Sequence, residues 1–199
     1  MFRTASPAPG GAPPKAHAET SLAGPLRMET DRPLLGEHPC LRLSAAGEQL
    51  AGLVLRRHRL VELFLVKVMG MSWAEVHEEA EQLEHVVSER LIERIDVMLG
   101  HPTHDPHGDP IPNAAGAIPP IQLDSLMTCP VGVTLKVTRI TDQDPAFLHF
   151  VESNGLKPGE RIEVEARDTP ADAVRLRRQD GQPLTIGARA ATKLLVEAV

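Results

Sequence analysis

Apolar residues recur at helical spacing after Ser44, at Leu50, Leu53, Val54, Leu60, Val61, Phe64 and Val68, which predicts one long amphipathic helix. Ser44 stands where an N-cap belongs, with a hydroxyl able to accept from a free backbone N–H, and Gly70 marks the stop. Ser72-Trp73-Ala74-Glu75 has the form of a capping box, in which Ser and Glu side chains satisfy two backbone donors. It predicts a second helix running to about Val87. Ser88 opens a third, through Leu91, Ile92, Ile95 and Leu99 to Gly100. Three helices on short connections make a compact unit whose broad apolar faces invite a second copy of the chain.

The period then changes. A loop of Pro, His, Asp and Gly runs from His101 to Pro112, followed by a Pro/Ala-rich stretch. Leu135-Lys136-Val137, Ile162-Glu163-Val164-Glu165-Ala166, Val174-Arg175-Leu176 and Leu184-Thr185-Ile186 alternate apolar and polar residues, as half-buried strands do. A short helix interrupts them from Pro145 to about Asn154, with Gly155 as its stop and Lys157-Pro158-Gly159 as a turn. Five short strands and one helix in this space predict a small SH3-like β-barrel. The fold class is therefore α+β: a helical domain over residues 38–112, a linker over 113–127 and the barrel over 128–199. Residues 1–37 mix many Pro, Gly and Ala without sustained period, and are expected to be disordered. Cys40-Leu41-Arg42-Leu43 alternates like a short strand.

Composition narrows the picture. The 199 residues include no Tyr, one Trp and four Phe, so aliphatic side chains must build the core. Cys40 and Cys129 lie far apart, which gives neither a disulfide framework nor zinc-finger spacing and fits a reducing compartment. No apolar run reaches the roughly 18 residues of a membrane span, and no signal pattern opens the chain. The expectation is a soluble, cytoplasmic protein with no membrane association. The net charge of −6 argues against a broad phosphate-binding surface. The one compact basic run is Arg56-Arg57-His58-Arg59, inside an apolar helix. An acidic excess also supplies ligands for divalent metals.

The ligand candidates are patterned. On the second helix His77, Glu81, Glu84 and His85 fall within one arc at about 100° per residue, so they share a face. The first helix carries His58 and Glu62 four residues apart. Two neighbouring helices would thus aim three imidazoles and three carboxylates into one groove, much as bundle proteins build dinuclear sites. Nitrogen and oxygen ligands without thiolate suit Mn(II), Fe(II), Co(II) or Zn(II), and the carboxylate share leans towards Mn(II). A solvated amphipathic face has no reason to place His at both ends.

Several blocks carry a resemblance: Arg57-His58-Arg59-Leu60-Val61-Glu62, Trp73-Ala74-Glu75-Val76-His77-Glu78-Glu79-Ala80, Leu83-Glu84-His85-Val86-Val87-Ser88 and Asp105-Pro106-His107-Gly108-Asp109-Pro110-Ile111-Pro112. In this order and spacing they resemble the metal-binding and dimerisation domain of the diphtheria-toxin-repressor and manganese-transport-regulator family. Upstream, Leu41-Arg42-Leu43-Ser44 resembles the last wing strand of that family. Downstream, Gly155-Leu156-Lys157-Pro158-Gly159 looks like a turn of ferrous-transport accessory modules. The resemblance implies one metal site at His58, Glu62 and His77 and another at Glu81, Glu84 and His85. It also implies an extra ligand from the barrel at Asp144, a residue that precedes Pro145 and equally fits a helix N-cap. Glu81 matches the manganese-responsive branch, where the iron-responsive branch has cysteine; Mn(II) is preferred and Fe(II) remains possible.

The family begins with a winged helix-turn-helix that reads DNA. Pro-rich sequence stands in its place before Pro33, so most of the reading domain is expected to be missing. The implied function is a homodimeric, metal-responsive transcriptional repressor that binds operator DNA, and not an enzyme. The alternative is a metal-binding dimerisation module that does not itself bind DNA. A dinuclear metallohydrolase is the third reading, opposed by the lack of a nucleophile paired with a base. His101, His104 and His107 with Asp105 and Asp109 form a tempting further cluster. Pro102, Pro106 and Pro110 break any regular face there, and the loop is expected to be a structural connector.

Overall fold

The computed structural model describes residues 43–199; the expected disordered segment and most of the expected Cys40–Leu43 strand lie outside them. Helix α1 spans Ala45–Lys67, capped by the Ser44 hydroxyl, which accepts from the Gly47 N–H at 3.2 Å. Helix α2 spans Val76–Glu84 and α3 spans Glu89–Met98, behind Ser88. Leu60, Val61, Leu63 and Leu65 of α1 pack with Val76, Ala80, Ile92 and Ile95 in one core. Gly52 meets the loop after α3 so closely that an added Cβ would sit 1.9 Å from the Gly116 carbonyl oxygen.

The second helix begins later than the capping box predicts. The Ser72 hydroxyl accepts from Ala74 N–H, and the Glu75 N–H bonds the Ser72 carbonyl, so Trp73-Ala74-Glu75 forms a turn before the helix. The reason is tertiary. Trp73 and Ala74 are drawn into the core of the following sheet, and burial of an indole outweighs one extra helical turn.

That sheet has six antiparallel strands: β1 Asp124–Ser125, β2 Thr134–Ile140, β3 Arg161–Asp168, β4 Ala173–Arg178, β5 Pro183–Gly187 and β6 Leu194–Ala198. Their order is β1-β6-β2-β3-β4-β5, with irregular register at Val137/Arg139 and Val164/Ala166. Such bulges strengthen twist and let a small sheet enclose its own core. The alternating residues Leu135, Val137, Ile162, Val164, Val174 and Leu176 all point into it. Helix α4, Pro145–Ser153, closes it with Leu148 and Val151, and a short α5, Ala188–Ala191, precedes β6. Strand β1 falls in the stretch expected to be linker, and α5 is an addition to the predicted elements. Among the described residues no helix is long and apolar enough to cross a membrane.

The helical and sheet halves are joined by the loop His107-Gly108-Asp109. The Ile140 N–H donates to the His107 carbonyl at 2.9 Å, and Arg139 pairs with Asp109 at 2.6 Å. Lys157 lies over the Trp73 ring.

Candidate metal centre

Helix periodicity places His58 and Glu62 one above the other on the buried face of α1, and α2 sets His77 across from them. Glu62 Oε1 is 3.0 Å from His58 Nε2 and 3.0 Å from His77 Nδ1, and the two nitrogens are 3.1 Å apart. Three ligand atoms thus form a nearly equilateral triangle. Adjacent ligands of an octahedral ion with bonds of about 2.1 Å are separated by about 3 Å, so the donor set fits a hard or borderline divalent ion.

Glu84 fixes the ring that matters most. Its Oε2 lies 2.8 Å from His58 Nδ1. An ionised carboxylate only accepts, so it holds a proton on Nδ1 and leaves Nε2 as the ligand atom of the neutral ring. Burial opposes protonation of His58, but the Glu62 and Glu84 carboxylates outweigh it and raise the pKa above the usual value of 6.5. Burial pushes the Glu62 carboxyl up, and His58, His107 and His77 together bring it below its ordinary range. An ion held by His58, Glu62 and His77 would take the place of the protons facing the triangle.

The six ligands expected from the sequence are not gathered equally. His58, Glu62 and His77 converge. Glu84 turns one oxygen to His58 and the other to His85 Nε2 at 3.7 Å. His85 stands beyond the end of α2 with its side chain 75% exposed, and Glu81 reaches His77 Nε2 at 3.4 Å. Glu81 and Glu84, with His58 and His77, line an open groove of about 690 Å³ whose walls include Leu50, Val54 and Leu55; His85 lies outside it. Asp144 is in neither donor cluster found among the described residues. Its carboxylate caps α4, accepting from the Phe147 N–H at 3.1 Å.

Two residues set aside as part of a connector loop arrive at the site. Asp105 and His107 gather with Glu62 in a second donor cluster. Asp105 Oδ1 accepts from the His107 and Asp109 N–H groups, at 2.8 and 2.9 Å. Burial, followed by the Asp109 and Glu62 charges, pushes its pKa up to about 7 from 3.8. The folded chain thus holds an extra proton between those values, and its stability falls as pH rises through that window. In chelator, Asp105→Asn is expected to match the parent near pH 4 and exceed its stability at pH 8 by on the order of 2 kcal/mol. Urea unfolding at both pH values checks this; a variant-to-parent difference that does not change with pH would refute it.

The basic run of α1 is engaged internally. Arg56 pairs with Asp96 at 3.0 Å and donates to the Pro112 carbonyl. Arg57 reaches Glu89 and the Glu84 carbonyl. Arg59 donates to the Pro110 carbonyl and lies near Asp105 and Asp109. These cations fasten α1 to its neighbouring loops.

Residues 44–113 match the iron-dependent repressor metal-binding and dimerisation domain, and residues 125–198 match the FeoA domain. The iron-dependent repressor IdeR of Mycobacterium tuberculosis is 34% identical over 188 residues, covering 88% of this chain and 78% of that protein. The chain belongs to the iron-dependent repressor family. The Mycobacterium leprae IdeR is 36% identical, with 66% of its length covered against 70% of this chain. Among solved structures, a manganese-dependent transcriptional repressor in complex with manganese superposes with a TM-score of 0.76 at 42% identity, covering 80% of this chain and 76% of the other. The T. acidophilum IdeR gives 0.71 at 32%, over 82% and 74%. The helical half followed by an SH3-like antiparallel sheet is the family fold.

Proposed function

We propose that this chain is a cytoplasmic, homodimeric, Mn(II)- or Fe(II)-responsive transcriptional repressor and not an enzyme. The observation that carries the reading is the His58–Glu62–His77 triangle, built across two helices in a member of a metal-dependent repressor family. A bound ion supplies one positive centre shared by both helices. His58 and Glu62 hold α1, His77 holds α2, and Glu84 keeps the His58 tautomer, so the interhelical angle is tied to occupancy. Glu81, Glu84 and His85 belong in this reading to a second ligand set on α2 and the residue after it, and Asp144 to an accessory position. Glutamate at position 81 favours Mn(II), since a carboxylate is the harder ligand. Glu84→Ala or His85→Ala is expected to weaken Mn(II) binding at least about tenfold by titration calorimetry. Unchanged binding in both variants would remove those residues from the site.

Dimerisation follows from exposed apolar side chains. Leu91, Val97 and Met98 of α3 and Val86 before it are 49–77% exposed, more apolar surface than a small helical unit leaves open. A dimer without metal is expected by light scattering at tens of micromolar; only monomer would count against it.

The second reading, a dimerisation module that does not itself bind DNA, is favoured by the internal engagement of Arg56, Arg57 and Arg59. Anisotropy with operator-like duplex separates the two. Specific, Mn(II)-dependent binding at physiological salt supports the repressor; weak, metal-independent binding supports the module.

A further inference from the structure

We propose that Trp73 is a positioning residue for the His58–Glu62–His77 triangle: seated in the sheet half, it fixes where α2 begins and therefore where His77 stands. The sheet half thereby becomes part of the response to the ion. The inference rests on the reading of the triangle as a metal centre and adds to it a residue outside the ligand set.

His77 is the one member of the triangle that α2 supplies, and it is the second residue of that helix. A ligand so close to a helix end depends on what secures the end, because terminal turns open at little cost. Capping does not secure this one: Glu75 stands at the N-cap position and makes no side-chain cap hydrogen bond. Burial does. Trp73 and Ala74 lie in the core of the sheet half, while Val76, fully buried, lies in the core of the helical half. The chain thus passes from one core to the other within four residues. The joint is a closed turn, since the Ser72 hydroxyl accepts from the Ala74 N–H at 3.3 Å and the Ser72 carbonyl from the Glu75 N–H at 3.1 Å.

The sheet half grips the indole with charge as well as with apolar contact. Lys157 Nζ lies 5.2 Å from the Trp73 ring centroid, and Glu152 pairs with Lys157 at 2.6 Å. His77 answers for geometry at the other end of the turn. Its Nδ1 is 3.0 Å from Glu62 Oε1 and 3.1 Å from His58 Nε2, and bonds to an ion tolerate displacements of only about 0.2 Å. Close-packed cores transmit a shift of that size instead of absorbing it. Coupling of this kind is reciprocal: an ion that fixes His77 also stiffens the turn and the seat of Trp73.

The test uses the full chain with Mn(II), and circular dichroism checks the fold of each variant. By titration calorimetry, Trp73→Leu is expected to weaken Mn(II) binding about tenfold, and Trp73→Phe, which keeps a ring for Lys157, to recover most of the loss. Hydrogen exchange followed by mass spectrometry separates positioning from packing. In the parent, Mn(II) is expected to slow exchange in α1 and α2 and also in β2 and β3. In Trp73→Leu the ion still slows exchange in the helices and no longer in the strands, and in His77→Ala the strand effect is absent too. A packing role alone would lower strand protection equally with and without the ion. Parent-like affinity in Trp73→Leu, strand protection that survives in His77→Ala, or parent strands that exchange alike with and without Mn(II) overturns the positioning role and leaves the triangle intact. Should Trp73→Leu unfold, the exchange comparison between the parent and His77→Ala decides alone. A parent that takes up no Mn(II) removes the triangle and this role together.

Discussion

Glu62→Ala is expected to weaken Mn(II) binding by at least about a hundredfold, the largest effect of any single ligand change in this protein. Each of the other ligands serves one donor cluster, whereas Glu62 stands in both. Its side chain has no solvent exposure and faces His58, His77 and His107 at once. Truncation leaves two imidazoles across an apolar gap and takes away one of the two carboxylates that lift the His58 pKa. With the carboxylate gone, the nearest anion to His58 is Glu84, which holds the nitrogen facing away from the triangle. Glu62→Gln separates charge from shape, because it restores an acceptor oxygen without the negative charge and should recover little affinity. Titration calorimetry on both variants, with circular dichroism to verify the fold, measures the effect. A loss smaller than tenfold in Glu62→Ala would mean that ions are held elsewhere.

Much of this site is legible in the chain itself, because its first triangle is local. His58 and Glu62 are four apart on one helix, and His77 lies on the next, so helical period alone aligns them. The same period places Glu81, Glu84 and His85 on the α2 face, but it cannot show that α2 ends at Glu84 and leaves His85 on the following turn. Asp105 and His107 show in the sequence only as members of a loop cluster with no regular face, and read there as a connector, for a different reason. Prolines remove any period from their loop, and the loop is shaped by contacts with β2 and with Trp73, which are distant in sequence. One signal did exist: an Asp two residues before a His in a rigid, Pro-flanked turn is a side chain prepared to hold backbone N–H groups. In the sheet half, alternation revealed β2 to β5. The two-residue β1 and the four-residue α5 are too short to carry a period.

Gly108→Ala is expected to cost about 3 kcal/mol or more of stability, and the comparison with Gly100→Ala shows why. Both glycines adopt positive φ, +84° and +75°, so any L side chain there carries a strain of about 1 kcal/mol. At Gly100 nothing lies within 4 Å of an added Cβ. At Gly108 the Cβ would fall 1.8 Å from the Thr138 carbonyl oxygen and 2.9 Å from the Arg139 Cα. These are backbone atoms of β2, which cannot rotate aside as a flexible side chain can. The loop or the strand must move, and overpacking of this kind adds about 1–3 kcal/mol. Movement also endangers the Ile140 N–H to His107 carbonyl bond and the Arg139–Asp109 pair, the ties between helical and sheet halves. Urea denaturation of the two variants in chelator isolates the close approach, since the conformational strain is common to both. Equal losses would show that the loop does not press on β2. A larger loss at Gly108, together with weaker Mn(II) uptake, would tie the position of His107 to the seat that the sheet provides.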